Sequence, residues 1–149
     1  MGDVVKQSIE IDAPIERVWE LIMDPARLGE WVSIHERTFD VPAGRLAEGS
    51  TFGQRMKLKG VPLKVRWLVE ECEPPRRARW RGRAGAGAKA RISYDLTERG
   101  GVTTFDYWNE FELPAGKVGA LAGRAFNAIS GEREARRSLV RLKELLEDG

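Results

Sequence analysis

The sequence predicts an α+β fold in which one strand, two short helices and six further strands lead to a long C-terminal helix. Three observations carry that prediction. Residues 4–12 alternate like a half-buried strand and run straight into "DAPIERVWELIMDPARLGEW", a helical pattern broken by proline. Between Thr51 and Leu113, short alternating runs are separated by turn residues, the mark of consecutive hairpins. From there to about residue 147, apolar residues recur at helical spacing.

In the first strand Val5, Ile9 and Ile11 share one side, and Lys6, Ser8, Glu10 and Asp12 the other. Asp12 is placed to cap the first helix, Pro14 stands where it begins, and Val18, Leu21 and Ile22 fall on one helical side. Asp24-Pro25 ends that helix and starts a second turn, which closes at Trp31. Two short helices broken by a proline build a poor core. They suit the rim or plug of something hollow. A second strand is expected over residues 33–40, and "VPAGRLAEGS" reads as a loop.

The turns then set the registers. Lys59-Gly60 faces Leu58 with Val61, Met56 with Leu63, Gln54 with Val65 and Phe52 with Trp67. Pro62 suits a strand end or an edge, since it donates no ladder hydrogen bond. Glu73 to Arg76, containing Pro74-Pro75, sets Val69 beside Trp80 and Glu70 beside Arg79 on opposite faces. The same alternation points Glu71 inward and leaves Cys72 outward, opposite Arg77. For the last hairpin a two-residue loop at Arg99-Gly100 is expected. It pairs Leu96 with Thr103, Tyr94 with Phe105, Ile92 with Tyr107 and Ala90 with Asn109. On the other face it pairs Lys89 with Glu110 and Arg91 with Trp108, favourable charge and cation–π neighbours.

In the final helix Leu121, Ala125, Ile129, Ala135, Leu139, Leu142 and Leu146 trace the apolar side. Gly116, Gly119, Gly123 and Gly131 weaken its first half by about 1 kcal/mol each relative to alanine if exposed. That beginning reads as a separate turn or a mobile lid.

Composition bounds the function. The chain has 149 residues, 42% hydrophobic and 32% charged, which favours one folded domain over disorder. No apolar run approaches the roughly 18 residues of a membrane span, and no signal-peptide core opens the chain, so a cytoplasmic location is expected. "MGDVVK" has Lys6 where myristoylation expects Ser or Thr. A single cysteine, Cys72, excludes an internal disulfide and a multi-cysteine metal site. Net charge is only +2, yet "PPRRARWRGR" concentrates arginine on one strand.

The element order, with "IEIDAPIERVWELIMDPARLGEW" at the start and "GVTTFDYWNEFELP" before the long helix, resembles the START-like superfamily, also called SRPBCC or helix-grip. The wording is most similar to its bacterial polyketide cyclase/dehydrase and lipid-transport branch, with residues 1–149 forming a single START-like ligand-binding domain. The resemblance implies a seven-stranded antiparallel sheet curled around the C-terminal helix, with a cavity between them. The two short helices then cross one end of the sheet and put Trp31 near the cavity mouth. It also implies a hydrophobic or amphipathic ligand, such as a lipid, fatty acid or polyketide-like compound, that is bound, transported or sequestered. Aromatase/cyclases of the superfamily promote aldol closure with pocket tyrosine, arginine, histidine or serine groups. Here two tyrosines are available, but no arginine falls clearly inward, so binding is favoured over turnover.

The registers give Trp31, Gln54, Met56, Trp67, Trp80, Tyr94, Phe105, Tyr107, Asn109 and Phe111 as ligand-binding candidates, an apolar lining with a few polar groups. The competing reading is a filled core. Small residues at Ala78, Gly82, Ala88 and Ala90 leave room. Gln54 and Asn109 fall on the apolar side and need partners: each other, water or a ligand. No residue is assigned as catalytic. The alternative enzyme is a lyase-type cyclase/dehydratase using Tyr94, Tyr107, Asn109 and the lone histidine, His35. With one histidine no multi-histidine metal site forms, and no cofactor is expected. A third reading is an interaction protein. Arg77, Arg79, Arg81 and Arg83 share the outward side of one strand, with Lys64, Arg66, Lys89 and Arg91 beside them, tempered by Glu70, Asp95 and Glu110. An anionic membrane or an acidic protein suits that stripe; nucleic acid ranks last, because only Trp108 is placed to stack on bases.

Overall fold

The computed structural model describes residues 3–58, 61–84, 87–112 and 131–148. Seven strands form one antiparallel sheet: β1 (Asp3–Ile11), β2 (His35–Phe39), β3 (Thr51–Leu58), β4 (Val61–Glu73), β5 (Arg77–Ala84), β6 (Lys89–Arg99) and β7 (Val102–Glu112). Their spatial order is β1-β7-β6-β5-β4-β3-β2, so each hairpin neighbour in sequence is a neighbour in space. Between β1 and β2 lie α1 (Ile15–Ile22), a 3-10 turn (Pro25–Arg27) and α2 (Leu28–Trp31). The chain closes with α3 (Glu132–Asp148). The sheet curls around α3, as the family resemblance implies.

β1 alternates as read, with Val5, Ile9 and Ile11 buried. α1 buries Ile15, Val18, Trp19, Leu21 and Ile22 on one face. Its cap differs from expectation. Pro14 is the N-cap residue and offers no side-chain acceptor, so the Ile15 N–H donates instead to Glu98 Oε1 on β6 at 2.9 Å. Asp12 lies two residues outside the helix, and its backbone N–H donates to Glu147 of α3 at 2.8 Å. Asp24 does cap the next turn, accepting from the Ala26 N–H at 3.0 Å.

The β3–β4 register is the predicted one in all four pairs, from Leu58↔Val61 to Phe52↔Trp67. Its turn, Lys59-Gly60, lies outside the described residues. Pro62 sits beyond the part of β4 that pairs with β5, where no donor is missed. On β4–β5, Val69↔Trp80 holds, but an irregularity between Val69 and Glu71 leaves Glu70 out of register, and Glu71 faces Arg79. The extra residue reverses the faces beyond it. Glu71 turns outward into ion pairs with Arg77 and Arg79, and Cys72, opposite Ala78, packs partly against the core.

The β6–β7 hairpin also departs from expectation. Arg99 pairs with Val102, and the loop is Gly100-Gly101, with φ of 60° and 83°. A two-residue loop with positive φ at both positions is free of strain for glycine and costly for Arg99. The register therefore slips by two residues, to Leu96↔Phe105, Tyr94↔Tyr107, Ile92↔Asn109, Ala90↔Phe111 and Arg91↔Glu110. A slip of two keeps every side chain on its predicted face.

α3 lays Ala135, Leu139, Leu142 and Leu146 against the core and packs on β1 and α2. Lys143 Nζ fastens it to the Glu10 carbonyl at 2.7 Å. The segment from Leu113 through residue 130, with Leu121, Ala125, Ile129, Gly116, Gly119 and Gly123, lies outside the described residues, and so does the expected lid.

Candidate functional site

Between the concave sheet face, α2 and α3 lies a cavity of about 120 Å³. Trp31 reaches it from α2, Gln54 and Met56 from β3, Trp67 from β4 and Trp80 from β5. Tyr94 comes from β6, and Tyr107, Asn109 and Phe111 from β7. Phe105 is not among the lining residues. It is fully buried behind them, with ring centroids 5.2 Å from Tyr94 and 6.2 Å from Tyr107. Tyr94 is the hub of this aromatic wall, also touching Trp31 at 6.2 Å and Trp80 at 5.8 Å.

The two amides do not meet. Gln54 Oε1 accepts from Trp67 Nε1 at 2.9 Å, and Gln54 Nε2 lies 3.0 Å from His35 Nδ1. An indole N–H only donates, so it fixes the polarity of the whole chain. The Gln54 oxygen must face Trp67, its amide nitrogen must face His35, and His35 Nδ1 must accept. The ring proton of His35 then sits on Nε2. Asn109 Nδ2 donates to Tyr107 Oη at 2.9 Å.

Burial pushes the Tyr94 hydroxyl well above its ordinary pKa, with Tyr107 adding to the rise. Burial raises Tyr107 as well, offset in part by the Asn109 hydrogen bond. Both stay neutral at physiological pH. Burial lowers the His35 pKa. As pH falls, the unfolded chain therefore takes this proton before the folded one does. The stability tied to neutral His35 is complete above about pH 6.5 and is lost as pH drops toward the lower folded value. The slope is bounded by one proton, about 1.4 kcal/mol per pH unit, before solvent screening of a half-buried ring. His35→Gln is expected to flatten the urea midpoint between about pH 7.5 and pH 5.5; an unaltered pH dependence would reject this assignment.

The small residues divide in their roles. Ala90 lines the cavity. Gly82 does not leave space: a Cβ there would stand 2.7 Å from Val65 Cγ1 and 2.8 Å from the Trp67 ring, so the vacancy is taken by Trp67. The sequence reading missed the helical wall, where Ala135, Ser138 and Leu139 of α3 line the cavity. It also missed a polar cluster at the α2–α3 junction. Ser138 Oγ accepts from the Ser33 N–H at 3.0 Å, and the Ser33 hydroxyl donates to the Glu134 carboxylate. The available signal was Ser138, a polar residue next to Leu139 on the apolar stripe.

On the outer face, Arg77 stands 3.1 Å from Asp95 and within 4.0 Å of Glu71 and Glu73. Arg79 lies 3.4 Å from Glu71 and 3.6 Å from Asp95, and Arg81 lies 3.6 Å from Glu70. Arg83 has Arg66 and Lys89 as its neighbours in register. Much of the stripe is thus neutralised within the sheet itself. No group of three or more His, Cys, Asp or Glu that could hold a metal occurs among the described residues. None of their helices is long and apolar enough to cross a membrane.

The family of polyketide cyclase/dehydrase and lipid transport proteins matches residues 3–147. Among curated relatives, toxin Rv0910 of Mycobacterium tuberculosis is 25% identical over 123 residues, covering 81% of this chain and 85% of the relative. Uncharacterized protein Rv1546 of the same organism is 27% identical over 142 residues, covering 93% and 97%. Among solved structures, the Zhui aromatase/cyclase from Streptomyces sp. R1128 superposes with a TM-score of 0.78 at 17% identity, covering 99% of this chain and 94% of that one. Protein CV1439 from Chromobacterium violaceum gives 0.71 at 16% identity, covering 97% and 96%. At such identities the likeness speaks to the helix-grip fold.

Proposed function

The chain belongs to the polyketide cyclase/dehydrase and lipid transport family, and from that premise we propose that it holds a hydrophobic or amphipathic small molecule in the internal cavity. The observation that carries this reading is the cavity wall, aromatic on the sheet side, aliphatic on the helix side, with hydrogen-bonding groups spaced along it. Burial of apolar ligand surface, about 25 cal/mol per Å² before ordering costs, supplies the affinity. Trp31, Gln54, Met56, Trp67, Trp80, Tyr94, Tyr107, Asn109 and Phe111 form the contact surface, and Phe105 acts by holding the tyrosines in place.

Binding is favoured over turnover by the state of the polar groups. A general base must be ready to take a proton near neutral pH. Tyr94 and Tyr107 are held as acids. His35, the group nearest in pKa, spends Nδ1 on Gln54 and is not among the lining residues.

The test is native mass spectrometry of the purified chain, followed by extraction and identification of what it carries. A stoichiometric adduct that disappears in a folded Asn109→Leu variant is the expected result. A clean mass, with no binding of added apolar probes, would reject the reading. A pH-dependent turnover lost in Tyr107→Phe would replace it with a cyclase or dehydratase.

A further inference from the structure

Resting on that binding reading, we infer that the ligand is an uncharged molecule with a ring-sized apolar body and an oxygen acceptor, and that the indole N–H groups of Trp31 and Trp80 select it. Three tryptophans line the cavity. The fold satisfies one of them, since Trp67 Nε1 donates to Gln54 at 2.9 Å. The other two, Trp31 Nε1 and Trp80 Nε1, are buried and have no hydrogen-bond partner among the described residues. A buried donor left unmade carries its full desolvation penalty, so native structures rarely leave two beside one cavity.

None of the other described polar groups of the wall bonds to them. Gln54 Oε1 is occupied by Trp67, and Tyr107 Oη already accepts from Asn109. The wall thus holds two indole donors without an acceptor, and a ligand oxygen would supply one.

Charge narrows the class further. Arg91 and Glu110 adjoin the cavity, but they are register partners on the outward row of β6 and β7. Glu134 stands at the α2–α3 junction with Ser33 as its donor. Among the described residues a carboxylate ligand would find no inward-facing cation, and Glu134 borders the cavity. A ketone, ester or amide oxygen meets the indoles without that cost. Size points the same way, because a dry cavity of about 150 Å³ accepts benzene, and this one is about 120 Å³.

The experiment compares three molecules of one shape: ethylbenzene, acetophenone and benzoate. Proton–nitrogen spectra of the full chain resolve the indole N–H signals of Trp19, Trp31, Trp67, Trp80 and Trp108, assigned through single Trp→Phe variants. Acetophenone is expected to move the Trp31 and Trp80 signals downfield, leave Trp67 in place, and bind about tenfold tighter than ethylbenzene, one hydrogen bond's worth. Benzoate should bind least. In Trp80→Phe the preference of acetophenone over ethylbenzene should shrink toward one. If Trp80→Phe does not fold, the wild-type indole signals decide alone. Equal binding of ketone and hydrocarbon with no downfield shift would overturn the inference and leave the binding reading standing. The edge-to-face contacts of Trp80 with Phe52 and of Trp31 with Phe105 would then be the partners of these N–H groups. No binding by any of the three would also overturn the inference, and the native mass of the purified chain would then decide the binding reading separately.

Discussion

Phe105→Ala is expected to lower the unfolding free energy by about 3–5 kcal/mol, a large part of the 5–15 kcal/mol typical of a domain. Phe105 is 0% exposed and sits at the back of the aromatic wall. Its ring packs edge-on to Tyr94 and Tyr107 and lies 6.3 Å from Trp31. In the sheet it pairs with Ile9 of β1 and Leu96 of β6, both buried, so no flexible neighbour can close over the gap. Removing the ring costs its transfer energy and leaves a hole that the β-sheet backbone cannot collapse. Urea denaturation measures the loss, and the slope with denaturant should not change. A loss below about 1 kcal/mol would mean that Phe105 faces the cavity after all. Tyr107→Phe, which removes only a hydroxyl already facing its Asn109 donor, should cost about 1 kcal/mol.

What the sequence made legible follows from which physical signals are local. The β3–β4 register could be read because a tight turn and a two-residue alternation agree over four pairs. The β6–β7 register could not be fixed by alternation, since a shift of two leaves both faces intact. The deciding fact was a backbone angle, the need for positive φ at both loop positions, which Gly100-Gly101 meets and Arg99-Gly100 does not. The irregularity at Glu70 left no trace in the pattern, because Glu71 and Cys72 fit either face by type. It took Arg79 and Arg77, one strand away, to pull Glu71 outward. Gln54 was legible as a buried amide in need of partners. That the partners are Trp67 and His35 depends on the β2–β3 pairing, where an irregularity next to His35 brings its ring toward β3. The α3 wall was readable as an apolar stripe, but a stripe does not say whether it meets side chains or a void.

Gly82→Ala should be strongly destabilising, and the reason joins the fold to the cavity. Read from sequence, Gly82 leaves room for a ligand. In the structure that room belongs to Trp67, whose Cε3 and Cζ3 would lie 2.8 Å from the new Cβ, with Val65 Cγ1 at 2.7 Å on the other side. Real carbon contacts do not come so close, so something must move. Val65 is buried in the adjoining row and register-paired with Ala84 and Gln54, which leaves the indole. Trp67 can swing only by giving up its 2.9 Å bond to Gln54, and the free side is the cavity it already lines. Overpacking costs about 1–3 kcal/mol and the lost bond about 1 kcal/mol more. Each kcal/mol lowers the melting temperature by about 2–4 °C at this chain length. Ligand occupancy in native mass spectrometry should fall as well, because the displaced ring enters the binding space. Trp67→Phe removes the clashing half of the indole. The two substitutions together should therefore cost clearly less than the sum of each alone. Penalties that simply add would show that Trp67 is not what Gly82 makes room for.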